Sequence, residues 1–454
     1  LLTAALTFLL LTLAGPACGP LDADGALALA SRNADEMAIK RAELAAAEAD
    51  LAIARAARFF PSATVTALTS YVPAAHGDVL DATPKSGRTL ADLGPFVRVD
   101  VNVIQPLFTW GRLDAASAAA TAGVKARENL VTDKLSELRV RIAQLYWGET
   151  LARRLLGIAS DVEKNLAQVN DKLEELLKSG DESVKPADRY RLEVYKGTLR
   201  KRKAEAQKGV DLAHGGLAAT VGLAPEALTL RQATLPLDPG AAPDAASVRA
   251  EAERRRPDVA ALDLAISARG AEARAAAAAM KPQLFLGGTF GFAYAPNRTP
   301  QLNPFVVDQF NHLGGGVAIG VNQDLAFPLL TAQARKAQAE GETLRRQREG
   351  LSRLVAQQVD QALAEVASAR ERLSAAIAAF GSGRAWFRSA GLDFEAGVGE
   401  PKDVLEAYAA FVELQVDQQQ AAYDLVVARA KLDQASGVVP HVGADPCPGA
   451  AGMR

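Results

Sequence analysis

Cysteine is almost missing from this chain: two among 454 residues, Cys18 and Cys447, one near each end. So few thiols exclude a disulfide-stapled scaffold and a cysteine-ligated metal centre. Histidine and methionine are as sparse. His76, His214, His312 and His441 are scattered, as are Met37, Met280 and Met453, so no path of soft-metal ligands is written here. A formal charge of −2 and a pI near 6.2 remove the basic field of a nucleic-acid binder. Beyond the first residues no uncharged run is long enough for a transmembrane helix, so any insertion into a bilayer must use strands. Catalytic signatures are missing too: no HExxH, no phosphate-loop Gly-Lys-Ser/Thr and no G-x-S-x-G. GGGVAIG at 314–320 enters a strand where a nucleotide loop would leave one, and the sequon Asn297-Arg298-Thr299 is read as chance in a loop. Neither an enzyme nor a cofactor is expected, and nucleic acid is not an expected partner.

What is present is hydrophobic and ordered. Nearly half the residues, 49%, are hydrophobic, enough for a sizeable core. LLTAALTFLLLTLAGPAC at the start reads as the apolar and cleavage regions of a secretory signal over 1–17, without its positive n-region. Cys18 is then a candidate lipid anchor, although Gly15 and Pro16 stand where such a site prefers an aliphatic and a small residue. A Cys18–Cys447 disulfide and two unpaired tail cysteines are the other readings.

The chain repeats itself. PADRYRLE at 186–193 aligns with PKDVLEAY at 401–408, and ATVGL at 219–223 with QASGV at 434–438, both at an offset of 215. Pro186 and Pro401 open a helix and Gly222 and Gly437 close it, the expected polarity. QPLFTWGRLDAAS at 105–117 and its counterpart near 323–335 both carry a strand into an alanine-rich helix. Each half, 24–223 and 247–438, is expected to run helix, strand, loop, strand, very long helix, turn, helix. The first reads as 24–60, 61–71, 96–107, 110–178 and 186–222. The second reads as 247–280, 282–294, 315–326, 328–395 and 401–437. A Pro- and Ala-rich linker at 224–246 joins them, and 439–454 forms a tail. At 1.5 Å per residue the helix from 110 spans roughly 100 Å, more than one globular core covers, so it must pack sideways as a coiled coil. In the last helix Val404, Tyr408, Phe411, Gln415, Gln418, Ala422 and Leu425 step by 4 and 3. Strict stepping would then reach Arg429, so the seam is expected to shift to Ala428 and Leu432.

The strands alternate. Val97, Val99, Val101 and Val103 share a face opposite Arg98, Asp100 and Asn102. Leu284, Leu286, Phe290, Phe292 and Tyr294 share another, and Val317, Ile319 and Val321 a third. A soluble sheet packed on helices alternates in this way, and so does a strand that crosses a bilayer. In lipid, four strands cannot close a water-holding barrel, so the membrane reading requires several copies of the chain.

Taken together, the repeat, the QPLFTWGRLDAAS junction, RRRPDVAALDLAISARGAEARAAAAAMKPQL at 254–284 and the F-x-x-G-x-x-x-x-x-D-V-L-E-A run at 394–407 resemble the TolC-like outer membrane efflux protein family over about 24–438. The resemblance implies an α+β membrane protein that assembles as a homotrimer. Four strands per subunit would join one outer-membrane β-barrel, continuous with a long periplasmic α-helical coiled-coil tunnel. Pro106, Trp110, Gly111 and Pro328 would mark the barrel–tunnel junction, Pro106 ending the strand cleanly. Asp403 and Glu406 would form an acidic ring at the periplasmic aperture; as carboxylates on the opening turn of a helix they also suit its N-terminus for purely local reasons. Asp188 and Phe394 match positions near the constriction. Phe394 stands where a hydrogen-bonding tyrosine is often found and Gly399 where a basic residue is found, both departures from the pattern.

The implied function is a passive exit duct for small molecules in a tripartite efflux system, with an inner-membrane pump, a periplasmic adaptor and outer membrane lipid as partners. Two rivals stay open on sequence grounds: the outlet of a type I protein secretion system, and a soluble periplasmic coiled-coil scaffold.

Overall fold

The computed structural model describes residues 19–77, 92–179, 185–301, 303–305 and 307–443. The expected leader at 1–17, Cys18, Cys447, residues 180–184 of the expected turn and the residues beyond 443 lie outside the described residues. In chain order the elements are α1 (Ala23–Asn33), α2 (Asp35–Phe59), β1 (Ser62–Pro73), β2 (Leu93–Phe108), α3 (Arg112–Ser179), α4 (Pro186–Val221), α5 (Ala245–Arg255), α6 (Pro257–Ala279), β3 (Gln283–Tyr294), β4 (His312–Asn322), α7 (Phe327–Glu395) and α8 (Pro401–Ala435). The repeat is visible in their lengths, 68 and 69 residues for α3 and α7, 36 and 35 for α4 and α8. None of the described helices is long and apolar enough to cross a membrane. The chain divides into two compact units, each drawing on both repeats. A helical unit comprises Leu1–Glu43, Glu128–Ala260 and Glu349–Arg454; a sheet unit comprises Leu44–Arg127 and Ala261–Arg348.

In the sheet unit the four strands form one antiparallel sheet in the order β1-β2-β3-β4. Directly paired residues share a face, so the register converts the alternation of each strand into two continuous surfaces. One surface collects Val65, Val101, Phe290 and Gly315, then Val99, Phe292 and Leu313, then Leu284 with Val321 and Leu286 with Ile319. The other collects Thr64 with Asn102, Thr66 with Asp100, and Gly287, Gly291, Gly314, Gly316, Ala318 and Gly320 of β3 and β4. Arg98 and Asp100 are ion-paired on that second surface, Nε to Oδ2 at 2.7 Å. The apolar surface is open: Val317 is 76% exposed and Ile319 68%. β1 and β4 are the edges. The strands meet helices at one end only, where α2 enters β1, β2 leaves for α3, α6 enters β3 and β4 leaves for α7.

The helical unit has two apolar clusters. The first joins α7 and α8 (Val359, Val366, Leu373, Ala422, Leu425) with Leu151 of α3 and Leu235 of the linker. The second joins α1, α3 and α4 (Leu27, Ile142, Leu217, Val221) with linker residue Leu228. The linker is therefore core-bound, with its own 3₁₀ turn at Pro225–Ala227 and a bridge from Leu230 to Leu21. The seam of α8 shifts as its spacing requires. Leu425, Ala428 and Leu432 are buried, while Arg429 turns outward enough to donate to the Pro239 carbonyl at 2.6 Å.

Two expected helices prove to be pairs. The helix read as 24–60 breaks at Ala34, and that read as 247–280 breaks at Arg256; both residues have extended backbone. At Arg256 the cause is Pro257, whose ring forces the preceding residue away from helical angles. Each break is met by the glycine that closes a later helix. Gly222, φ +71°, comes so near Asn33 that a Cβ would lie 2.9 Å from the Asn33 Cβ, and Asn33 Nδ2 donates to the Val221 carbonyl at 3.1 Å. Gly437, φ +75°, comes closer still: its Cβ would lie 2.7 Å from the Arg255 carbonyl carbon and the Arg256 nitrogen. The paired glycines thus serve a close approach as well as a left-handed turn.

Candidate functional site

The strand-to-helix junction is assembled inside the sheet unit. β2, expected over 96–107, starts earlier, at Leu93. It runs on to Phe108 with a bulge between Pro106 and Phe108, where Pro106 pairs with Phe285 and Phe108 with Leu284. A bulge is where an inner strand tolerates a residue without an N–H. The turn itself is made by Trp110 and Gly111, at φ +53° and +76°, and Arg112 N–H closes it onto the Thr109 carbonyl at 2.9 Å. A tryptophan at positive φ is costly. Here it is held by an indole N–H donated to the Pro282 carbonyl at 2.6 Å and by an edge contact to Phe108, centroids 4.9 Å apart. Lys281 Nζ lies 5.1 Å from the indole centroid. The second junction is built otherwise. Asp324 Oδ1 accepts the Ala326 N–H at 2.8 Å, and Pro328 occupies the first turn of α7, where a missing N–H breaks no bond.

The other expected site lies in the helical unit, at the α3–α4 and α7–α8 ends. Asp188 and Phe394 are brought together: with Val169, Leu192, Val404 and Leu405 they line a cavity of about 180 Å³. Asp188 is already committed, since Oδ2 accepts the Lys185 N–H at 2.9 Å and Oδ1 accepts from Arg191 Nη1 at 3.0 Å. Its counterpart Asp403, at the same helical position, closes no such box and is exposed. Glu406 is exposed as well, with Lys402 Nζ 3.7 Å from Oε1. Neither Asp403 nor Glu406 lines the Asp188–Phe394 cavity. The α7–α8 turn is tight: Val398 and Gly399 N–H both donate to the Asp393 carbonyl, at 3.0 and 2.9 Å. A Cβ on Gly399 would lie 2.9 Å from the Phe394 nitrogen, so a basic side chain has no room there unless the turn rebuilds. Above it, Phe387 contacts Tyr408 and Phe411 at 5.1 and 5.8 Å, and Asn165 Nδ2 donates to the Tyr408 hydroxyl at 2.7 Å.

Sequence reasoning missed the polar knot at the second helix break. Arg256 forks onto both oxygens of Asp258, at 3.0 and 2.6 Å, and its third nitrogen donates to Gln358 Oε1 at 2.6 Å. Asp133 of α3 lies in the same field. Burial, reinforced by the charges of Asp258 and Glu137, pushes its carboxyl up to about 6. The RRRPD motif carried the only hint, through its Pro and the adjacent charges. Glu149, 1% exposed, was also missed; it is bonded by Arg153 Nε at 2.8 Å and faces His214 Nδ1 at 3.0 Å.

Residues 248–438 match the family model described as outer membrane efflux protein. No curated protein matches the sequence. Solved structures do match the fold. A membrane protein from Pseudomonas aeruginosa is 20% identical, with 92% of this chain and 93% of that one covered and a TM-score of 0.72. The outer membrane protein VceC from Vibrio cholerae is 17% identical, covering 91% and 96%, at 0.70. The open state of the Neisseria gonorrhoeae MtrE outer membrane channel is 18% identical, covering 91% and 88%, at 0.71.

Proposed function

We propose, from the match of residues 248–438 to the outer membrane efflux protein family model, that the chain is the outer membrane channel of a tripartite efflux system, a passive duct whose driving force comes from an inner-membrane pump acting through a periplasmic adaptor. The protein resides in the outer membrane and extends into the periplasm; it is a channel, not an enzyme.

The observation that carries this reading is the sheet. Valines, leucines and aromatic residues from all four strands share one exposed face, and among the described residues the outer edges of β1 and β4 have no partner strand. In lipid an unpaired edge leaves backbone N–H and C=O groups without water, at several kcal/mol each, so the edges must meet. Four strands enclose no lumen; three copies supply twelve, with β1 of one subunit against β4 of the next. The apolar face would then contact lipid and the Arg98–Asp100 face would line the barrel. In the helical unit, a groove of about 800 Å³ lined by Leu151, Leu155, Ile158, Leu199, Val412 and Val416 supports coverage by a neighbouring subunit as well. Asp403 and Glu406 form the acidic ring at the mouth, Asp188 and Phe394 lie behind it, and the tips near 179–186 and 395–401 receive the adaptor. Purified protein should run as a heat-modifiable trimer from the outer membrane fraction, and deletion should sensitise cells to exported compounds. A monomer soluble without detergent would refute the reading.

A further inference from the structure

The two ends of the sheet treat their cations differently. At the loop end, Arg98 is bound to Asp100, while Arg298 donates to the Pro73 carbonyl at 2.9 Å and stacks 3.8 Å from the Phe310 centroid. Both are used within the protein. At the helix end, Arg58 is paired with Asp114, but neither Lys281 nor Arg112 has a carboxylate in ion-pair range among the described residues. Lys281 is exposed and lies over the Trp110 ring. Phe108, paired with Leu284 at the margin of the apolar face, touches Trp110, and Trp110 carries the Lys281 ammonium. A stack of apolar strand, amphipathic indole and free cation, in that order, matches a lipid from acyl chain through glycerol to phosphate.

We infer that Lys281, Trp110 and Arg112 bind the headgroup of an anionic phospholipid of the periplasmic leaflet, one site on each subunit at its strand-to-helix junction. The inference rests on the membrane-channel reading above, which places the apolar face against lipid. Charge complementarity selects the occupant: a zwitterionic headgroup brings its own cation to the phosphate, whereas phosphatidylglycerol leaves that phosphate for Lys281. Each basic side chain near the surface contributes about fivefold to binding of anionic lipid.

The test uses the detergent-purified full-length assembly, reconstituted in nanodiscs of phosphatidylcholine with or without phosphatidylglycerol, then gently stripped and weighed by native mass spectrometry. Wild type should retain phosphatidylglycerol in preference to phosphatidylcholine. Lys281→Gln and Arg112→Gln should each lower that retention about fivefold, while Lys281→Arg keeps it and Lys402→Gln, in the helical unit, leaves it unchanged. Equal retention of the two lipids, or Gln variants that hold phosphatidylglycerol as well as wild type, would overturn the site. Displacement of the lipid by millimolar inorganic phosphate would make it a free-anion site and overturn the lipid assignment. Wild type that inserts and conducts yet shows no lipid preference fails this inference alone; wild type that never inserts fails the channel reading with it.

Discussion

Three glycines with nearly the same backbone angle separate conformational strain from close packing. Gly397, Gly222 and Gly437 sit at φ +76°, +71° and +75°. A Cβ on Gly397 would meet nothing within 4 Å, one on Gly222 would press on the Asn33 side chain at 2.9 Å, and one on Gly437 would strike the Arg255–Arg256 backbone at 2.7 Å. Alanine at Gly397 should therefore cost only the left-handed penalty, about 1 kcal/mol. At Gly222 the Asn33 Cβ can yield only by a small shift of the backbone that carries it, which adds about 1 more, and at Gly437 displacement of directly opposed backbone atoms adds about 3, near the upper end of overpacking costs. With about 2 °C per kcal/mol for a domain of this size, thermal unfolding followed by helical circular dichroism should fall by about 2, 4 and 8 °C. Gly437→Ala must also pull on Arg256, so its loss should be accompanied by loosened hydrogen-exchange protection at the start of α6. Equal losses for all three, or Gly222 more sensitive than Gly437, would refute the claim that these glycines are required by close approach.

Asp133 gives a pH prediction. Its carboxyl titrates near 4 unfolded and about 6 folded, so between those values the folded state holds more proton and stability falls as pH rises. Asp133→Asn should flatten that slope and stabilise the protein at pH 7 by about 1 kcal/mol, the roughly 3 kcal/mol limit being cut by water at this half-buried site; melts between pH 4 and 7 read it. Ile319→Lys, on the apolar face, should cost about 2–4 kcal/mol per copy in the bilayer and abolish heat-modifiable trimers, whereas Ala318→Lys, on the opposite face, should leave them. On the proposed acidic aperture, Asp403→Asn should reduce cation preference in planar bilayers, since like charges ~8 Å apart repel by about 2 kcal/mol at an effective dielectric of 20. Glu406→Gln should do less, because Lys402 already stands beside that carboxylate.

The sequence by itself determined whatever depends on local period and punctuation. Alternation placed four strands and their faces, Pro and Gly placed the ends of α4 and α8, and the shift at Arg429 was legible because a charge at a seam position must turn away. The offset of 215 fixed the symmetry of the two halves before any contact was known. Tertiary structure decided what depends on long-range approach. Ala34 carries no breaker of its own, and its break is visible only through the α4 terminus that packs on it. Pro106 marked the neighbourhood of the strand end at 107, but the bulge beside it exists only through the pairing with β3. Asp188 and Asp403 are matched in sequence, yet Arg191 and the Lys185 backbone bind the first while the second is exposed. Local patterns report what each segment prefers; which partner arrives at which residue is set by the folded chain.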